Sequence, residues 1–255
     1  MISPIAAIAR YTFLEAVRNR LFGLTAAGLV CLLGITEFIG ELAITETAQI
    51  QAALMGAGMR VFAVCTVALF VITSFVREAN DKGIDALLSL PIPRHAYFFG
   101  KYLGFLGLSL VIAGATCVLL LVYAAPGAVL FWFLSLQCEL AIVVALALLC
   151  VFTFSNVTVS FMLVLAFYFL ARSMHAIQLI SSSPIMESTN LSQQFIKVFL
   201  DTVAFVLPDL HEFTRSDWLA WGSGPDSFAL LFVQTVIFVA LLASAAIFDL
   251  YRKEL

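Results

Sequence analysis

Residues 129–150 read VLFWFLSLQCELAIVVALALLC, with Glu139 as the one ionisable group short of cysteine. As a helix rising 1.5 Å per residue, a stretch of this length covers the roughly 30 Å of hydrocarbon in a bilayer. A soluble helix needs a polar face for water, and this stretch has none. The run is therefore a transmembrane span, and the question becomes how many others accompany it.

The composition points the same way. Hydrophobic residues make up 63% of the 255 and charged residues only 11%. Soluble chains carry about 25% charged residues, so this apolar excess needs lipid as its solvent. Working outward from 129–150, five further runs have spanning character: 21–43, 57–76, 101–124, 157–171 and 228–248. Ala125-Pro126-Gly127 separates two of them as a tight turn, and the polar patch Thr153 to Asn156 separates the next pair. Six spans of about 20 residues take roughly half the chain, which leaves room for one membrane domain and its loops and none for a separate soluble enzyme domain. Arg10, Glu15, Arg18 and Arg20 precede the first long apolar run. That order does not fit a cleavable secretory signal.

The first twenty residues have their own pattern. Ile5, Ile8, Ala9, Thr12, Phe13, Ala16 and Val17 recur at helical spacing on one face, with Arg10, Glu15, Arg18 and Asn19 on the other. This predicts an amphipathic helix in the membrane interface, its basic residues toward headgroups or a partner. Residues 77–100 interrupt the spans with charges, prolines and a short helical middle whose apolar face is Ile84, Leu87 and Leu88. Pro91 and Pro93 end that helix and stiffen its exit. Gly100 and Gly104, four apart, predict close packing of the next span on a neighbour. Residues 172–227 are long and broken, and 195–207 reads as a re-entrant or interfacial helix.

Charge fixes the expected orientation. Placing both termini in the cytosol puts Arg10, Arg18, Arg20, Arg77, Lys82, Arg94, Lys101, Arg252 and Lys253 inside, nine of the thirteen basic residues. Arg60, Arg172, Lys197 and Arg215 fall on outer segments under that scheme. Short inner loops then carry the Lys/Arg excess, as the positive-inside rule requires. The fold class expected is an all-α integral membrane protein with six spans and cytosolic ends.

Soluble chemistry leaves no trace. The chain has no GxxxxGK[ST], no HExxH and no GxSxG. The sequence gives no reason to expect catalytic residues, a metal site, a cofactor or nucleic-acid binding. The five cysteines lie in apolar runs and read as small hydrophobes. Three acids are candidates for a solute pathway. Glu139 sits in mid-span, where an ionisable group must face protein or water; a cavity contact and a structural hydrogen bond are equally open. Glu37 and Glu41 share one face near the far end of the first span, and are expected to line an outer vestibule. Phe131, Trp132, Phe133, Trp218 and Trp221 read as interface-belt aromatics.

The series Glu78, Gly83, Leu87-Leu88-Ser89, Pro91, Arg94, Gly100-Lys101 and Gly104 resembles the pattern after the second span in permease subunits of ABC-2 type ABC transporters. Ala9 to Arg20, and Leu207-Pro208-Asp209-Leu210 with Phe213, resemble the branch containing the nitrous-oxide-reductase maturation permease. Pro93 departs from that pattern, which more often has serine before the arginine, and should stiffen the segment. The resemblance implies one permease domain over 1–255, in a bacterial inner membrane, pairing with a second permease chain and two ATP-binding subunits. Residues 1–20 would be the connecting helix, with Arg10, Glu15, Arg18 and Arg20. Residues 77–100 would be the coupling loop, with Arg77, Glu78, Lys82, Gly83, Ile84, Leu87, Leu88, Pro91, Pro93 and Arg94. ATP hydrolysis would belong to the partner and drive export. Two rivals stand beside this reading: a secondary transporter or channel independent of an ATPase, and a mechanical transducer that moves nothing itself.

Overall fold

The computed structural model describes residues 4–42, 47–81, 93–181, 200, 202–203, 207–213 and 228–252. Among the described residues the chain is all helical and has six helices long and apolar enough to cross a membrane. In chain order the helices are α1 (Pro4–Arg18), α2 (Arg20–Leu42), α3 (Thr47–Asn80), α4 (Arg94–Leu120), α5 (Pro126–Phe154), α6 (Val157–Ser181), the short α7 (Leu210–Phe213) and α8 (Phe228–Arg252).

The breaks between helices have local causes. At Asn19 the side-chain Oδ1 accepts from the Leu21 amide at 3.3 Å and the backbone carbonyl accepts from Phe22 at 3.0 Å. Both capture amides that open α2, the role an N-capping Asn performs. Arg20 therefore begins α2 rather than closing α1. Pro126 occupies the first turn of α5, where its missing amide is no loss. Ser155 ends α5 in the left-handed region at φ 52°. Asn156 then accepts from the Thr158 amide at 3.0 Å, starting α6. Helix α6 runs to Ser181, ten residues past the expected end of its span, because nothing in Arg172–Ser181 breaks a helix.

Helices α3 and α5 form the buried centre, and α2, α6 and α8 present most of their apolar surface outward. Val64, Val67, Ala68 and Val71 of α3 meet a core that includes Leu140, Val143, Val144 and Ala147 of α5. Phe75 packs edge-on against Phe152 at 4.8 Å between centroids. Outward apolar side chains such as Leu24, Val30, Phe38, Leu230 and Phe248 suit a chain surrounded by lipid.

Helix α1 lies along α4, and the glycines explain how closely. A Cβ added at Gly100 would come within 2.8 Å of Ile8 Cβ, and one at Gly104 within 2.7 Å of Thr12 Cβ and 2.8 Å of the Ala9 carbonyl. Real Cβ atoms do not approach so near, so the small residues permit the contact. The face of α1 expected to be apolar is the face that packs, with Thr12 and Ala16 buried.

Candidate functional site

The functional interest lies where four helices meet around the two stems of segment 82–92. One stem is the end of α3, the other the start of α4. Lys101 of α4 forms an ion pair with Glu78 of α3. Lys101 is 1% exposed and Glu78 11%, so the pair is almost wholly removed from solvent. The Tyr97 hydroxyl donates to Glu78 at 3.4 Å, and the ammonium of Lys101 stands 6.0 Å from the centre of the Tyr97 ring. One residue before Glu78, Arg77 donates to Glu15 of α1 at 2.5 Å, and Ser74 donates to the same carboxylate oxygen at 3.3 Å. Helix α1 is thus tied to the α3 stem by charge and to α4 by the glycine contacts.

Arg94, the first residue of α4, reaches across to the end of α8. Its Nη1 donates to the Leu250 carbonyl at 2.8 Å and to the Tyr251 carbonyl at 3.2 Å, with the guanidinium 5.6 Å from the Tyr251 ring centre. A cation on the last carbonyls of a helix satisfies acceptors that have no intrahelical donor and complements the helix dipole. Pro93, in extended conformation at φ −66° and ψ 138°, sets the entry into α4. Together these contacts fix both stems against α1 and α8.

Of the residues singled out from sequence, Glu15, Arg77, Glu78, Pro93 and Arg94 come together here. Arg18 is exposed nearby, Arg10 is exposed on α1, and Arg20 is exposed at the start of α2. Lys82, Gly83, Ile84, Leu87, Leu88 and Pro91 lie outside the described residues, as do Trp218 and Trp221. The partners of Glu78 and Glu15 were not foreseen. Lys101 was legible as an inner basic residue, and its spacing from Glu78 across the loop was the available clue.

A second polar cluster sits in the centre of the bundle. Arg60 of α3 and Glu139 of α5 pair at 2.7 Å, with side chains 1% and 0% exposed. Arg60 also donates to Ser135 at 3.3 Å, and its guanidinium stands 5.1 Å from the centre of the Trp132 ring. Ser135 donates in turn to the Phe213 carbonyl, which seats α7 against α5. Tyr168 of α6 interacts with Glu139, and Arg172 donates to its hydroxyl at 3.0 Å.

This cluster corrects two expectations. Arg60 is not on an outer segment: it lies inside a spanning helix, because Glu139 supplies the countercharge that lets it stay there. Trp132 is not an interface anchor: it is fully buried, and its ring face is turned to the Arg60 guanidinium. Of Phe131, Trp132 and Phe133, Phe131 alone is exposed, at 37%. A lone arginine within an apolar run, in a chain with a lone mid-span acid, was the signal for the pair.

Glu37 accepts from the Tyr123 hydroxyl, linking α2 to the turn between α4 and α5. Burial, together with the hydrogen bond to Glu37 and its charge, pushes the Tyr123 phenol up to about 12. Glu41 is exposed four residues further along α2. Among the described residues no three His, Cys, Asp or Glu side chains gather as a metal site would require.

Six apolar helices with charges paired inside the bundle define a multi-pass integral membrane protein. The sequence matches the family described as ABC-2 family transporter protein over residues 18–176, well over half of the chain. The chain belongs to that family, and it is a membrane component of an ABC transporter. A comparison with curated proteins found no match.

Proposed function

We propose that this chain is the transmembrane permease subunit of an ATP-driven exporter in a bacterial cytoplasmic membrane. It works as a dimer or with a paralogous permease, and two separate ATP-binding subunits dock beneath it. Both termini face the cytosol, and α1 is the interfacial connecting helix. The observation that carries the reading is the bracing of both stems of segment 82–92. Glu78–Lys101 ties the two stem helices to each other, Glu15–Arg77 ties one of them to α1, and Arg94 ties the other to the end of α8. A docking loop transmits force only if its stems are held; a solvated loop needs no such ties. Within the family, Ala9 to Arg20 and Leu207 to Leu210 with Phe213 resemble the branch containing the nitrous-oxide-reductase maturation permease.

Within this reading Ile84, Leu87 and Leu88 form the face presented to the ATPase. Glu37 and Glu41 line the outer vestibule. For Glu139, burial and the Arg60 partner support a holding role more than direct solute contact. Transport and melting measured together on Glu139→Gln separate the two roles: altered transport at an unchanged melting temperature would make it a pathway group.

The deciding experiment is co-purification with the ATPase encoded beside this chain, followed by ATP turnover with and without changes at Ile84, Leu87 and Leu88. A stable complex whose turnover is uncoupled by those changes is the expected result. A chain that purifies alone and moves solute on an ion gradient would overturn the proposal in favour of a secondary transporter.

A further inference from the structure

A cleft of about 350 Å³ opens between the C-terminal ends of α1 and α3, lined by Tyr11, Leu14, Glu15, Arg18, Asn19 and Arg77. Its charges do not cancel. Glu15 is already engaged by Arg77 and Ser74. Arg77 uses only Nη2 for that contact and remains 51% exposed. Arg18 makes no ion pair among the described residues and is exposed beside it. One uncommitted guanidinium and the free edge of a second therefore face the same space, with a net charge of one positive. Asn19 spends its carbonyl oxygen on the Leu21 amide, which leaves its amide nitrogen as a further donor.

The rest of the lining, also from α1, is apolar. Tyr11 is 67% exposed and Leu14 47%, on a helix of a membrane protein that also displays Arg10 and Arg18. Exposed apolar groups beside basic ones at the end of a spanning bundle suit the level of the lipid headgroups. A soluble anion would satisfy the guanidiniums and leave Tyr11 and Leu14 against water. A phospholipid satisfies both kinds of group, its phosphate on the donors and its glycerol and upper acyl carbons on Tyr11 and Leu14.

We infer that this cleft binds the phosphate of an anionic phospholipid headgroup, with Arg18 and Arg77 as its cationic contacts. The occupant holds α1 to the bilayer at the point where α1 is also tied to α3. This rests on the cleft and on the membrane character of the chain, and not on the identity of any ATPase.

The test uses the full chain in nanodiscs of phosphatidylcholine containing a minor share of phosphatidylglycerol, with retained lipids weighed by native mass spectrometry. Wild type is expected to retain phosphatidylglycerol in preference to phosphatidylcholine. Arg18→Gln, which breaks no ion pair of the fold, is expected to weaken that retention about fivefold, the factor one basic residue contributes at an anionic surface. Arg10→Gln, on the same helix but outside the cleft, is expected to leave it unchanged. Equal retention by wild type and Arg18→Gln would overturn the inference. Displacement of the lipid by inorganic phosphate would overturn it in favour of a soluble-anion site. Loss of a co-expressed ATPase from Arg18→Gln, with lipid retention intact, would reassign the cleft to protein docking.

Discussion

Helix α3 carries charge in two places, and the two behave differently. Arg60 lies deep in the bundle and is sealed from solvent with its partner Glu139. About 27 Å further along the helix, by the rise of 1.5 Å per residue, Arg77 and Glu78 sit where the chain leaves the bundle. There the burial is graded: Lys101 and Glu78 are nearly closed off, while Arg77 is half exposed. A sealed pair is a fixed brace, because parting its members strands a charge in a medium that cannot solvate it. A half-exposed pair can open at small cost, since water replaces the lost partner. The centre of the molecule is thus built to hold, and at the α1 end only the tie from Glu15 to Arg77 is open enough to water to yield. That is the arrangement expected if motion enters through segment 82–92 and the central helices pass it on as rigid bodies.

The sharpest way to break this comparison is at the centre. Glu139→Ala leaves Arg60 buried without its countercharge and is expected to cost about 3–5 kcal/mol, read as a large fall in melting temperature in detergent. Replacing both residues by hydrophobic ones of similar volume is expected to recover most of that loss, because no charge is then stranded. If Glu139→Ala melts with wild type, the sealed pair is not a brace. Lys101→Met comes next. It leaves Glu78 with the Tyr97 hydroxyl and partial access to water, so the expected cost is about 1.5–3 kcal/mol. A loss as large as that of Glu139→Ala would erase the distinction between the two regions.

Much of the fold is legible in the sequence, and the reason is physical. A bilayer imposes a minimum length of apolar helix, and five of the six runs meet it; 157–171 is too short alone and reaches spanning length only because its helix continues to Ser181. The apolar rhythm of Ile8, Thr12 and Ala16 named the packed face of α1, and Gly100 and Gly104 announced a close neighbour without saying which. What did not show was pairing between distant residues. Arg60 stands near the beginning of its apolar run, where a positive charge is usually an interfacial one. Only the position of Glu139 on a neighbouring helix makes a buried place possible for it. Trp132 was misread for the same reason: a tryptophan near the end of a span belongs at the interface unless a cation inside the bundle claims its ring face. The ties of Glu15 to Arg77 and of Glu78 to Lys101 bridge three separate helices, and no spacing within one helix encodes them.

The yielding end makes a prediction of smaller size in stability and larger consequence in coupling. Arg77→Gln is expected to change stability by about 0–1 kcal/mol, the range of exposed pairs. In the proposed complex it should nonetheless raise ATP turnover that is not matched by transport, since α1 is no longer held to the α3 stem. Turnover and transport that fall together would instead mark Arg77 as part of a static contact. High salt should mimic the variant in the wild-type protein, because screening weakens an exposed pair and leaves a sealed one untouched.

The smallest effect lies at the turn between α4 and α5, where Tyr123 meets Glu37. The phenol is pushed from its ordinary value near 10 up to about 12, first by burial and then by Glu37. The folded chain therefore holds this proton more tightly than the unfolded one. The contribution is fully present below about pH 10 and is lost as pH rises through about 12. Melting temperature followed across that window should fall in wild type. Glu37→Gln removes the carboxylate charge but leaves the burial, so the fall should shrink without vanishing. If it vanishes, Glu37 and not burial sets the phenol's environment. The tie from α2 to the turn would then be electrostatic, and as open to salt as the one between Glu15 and Arg77.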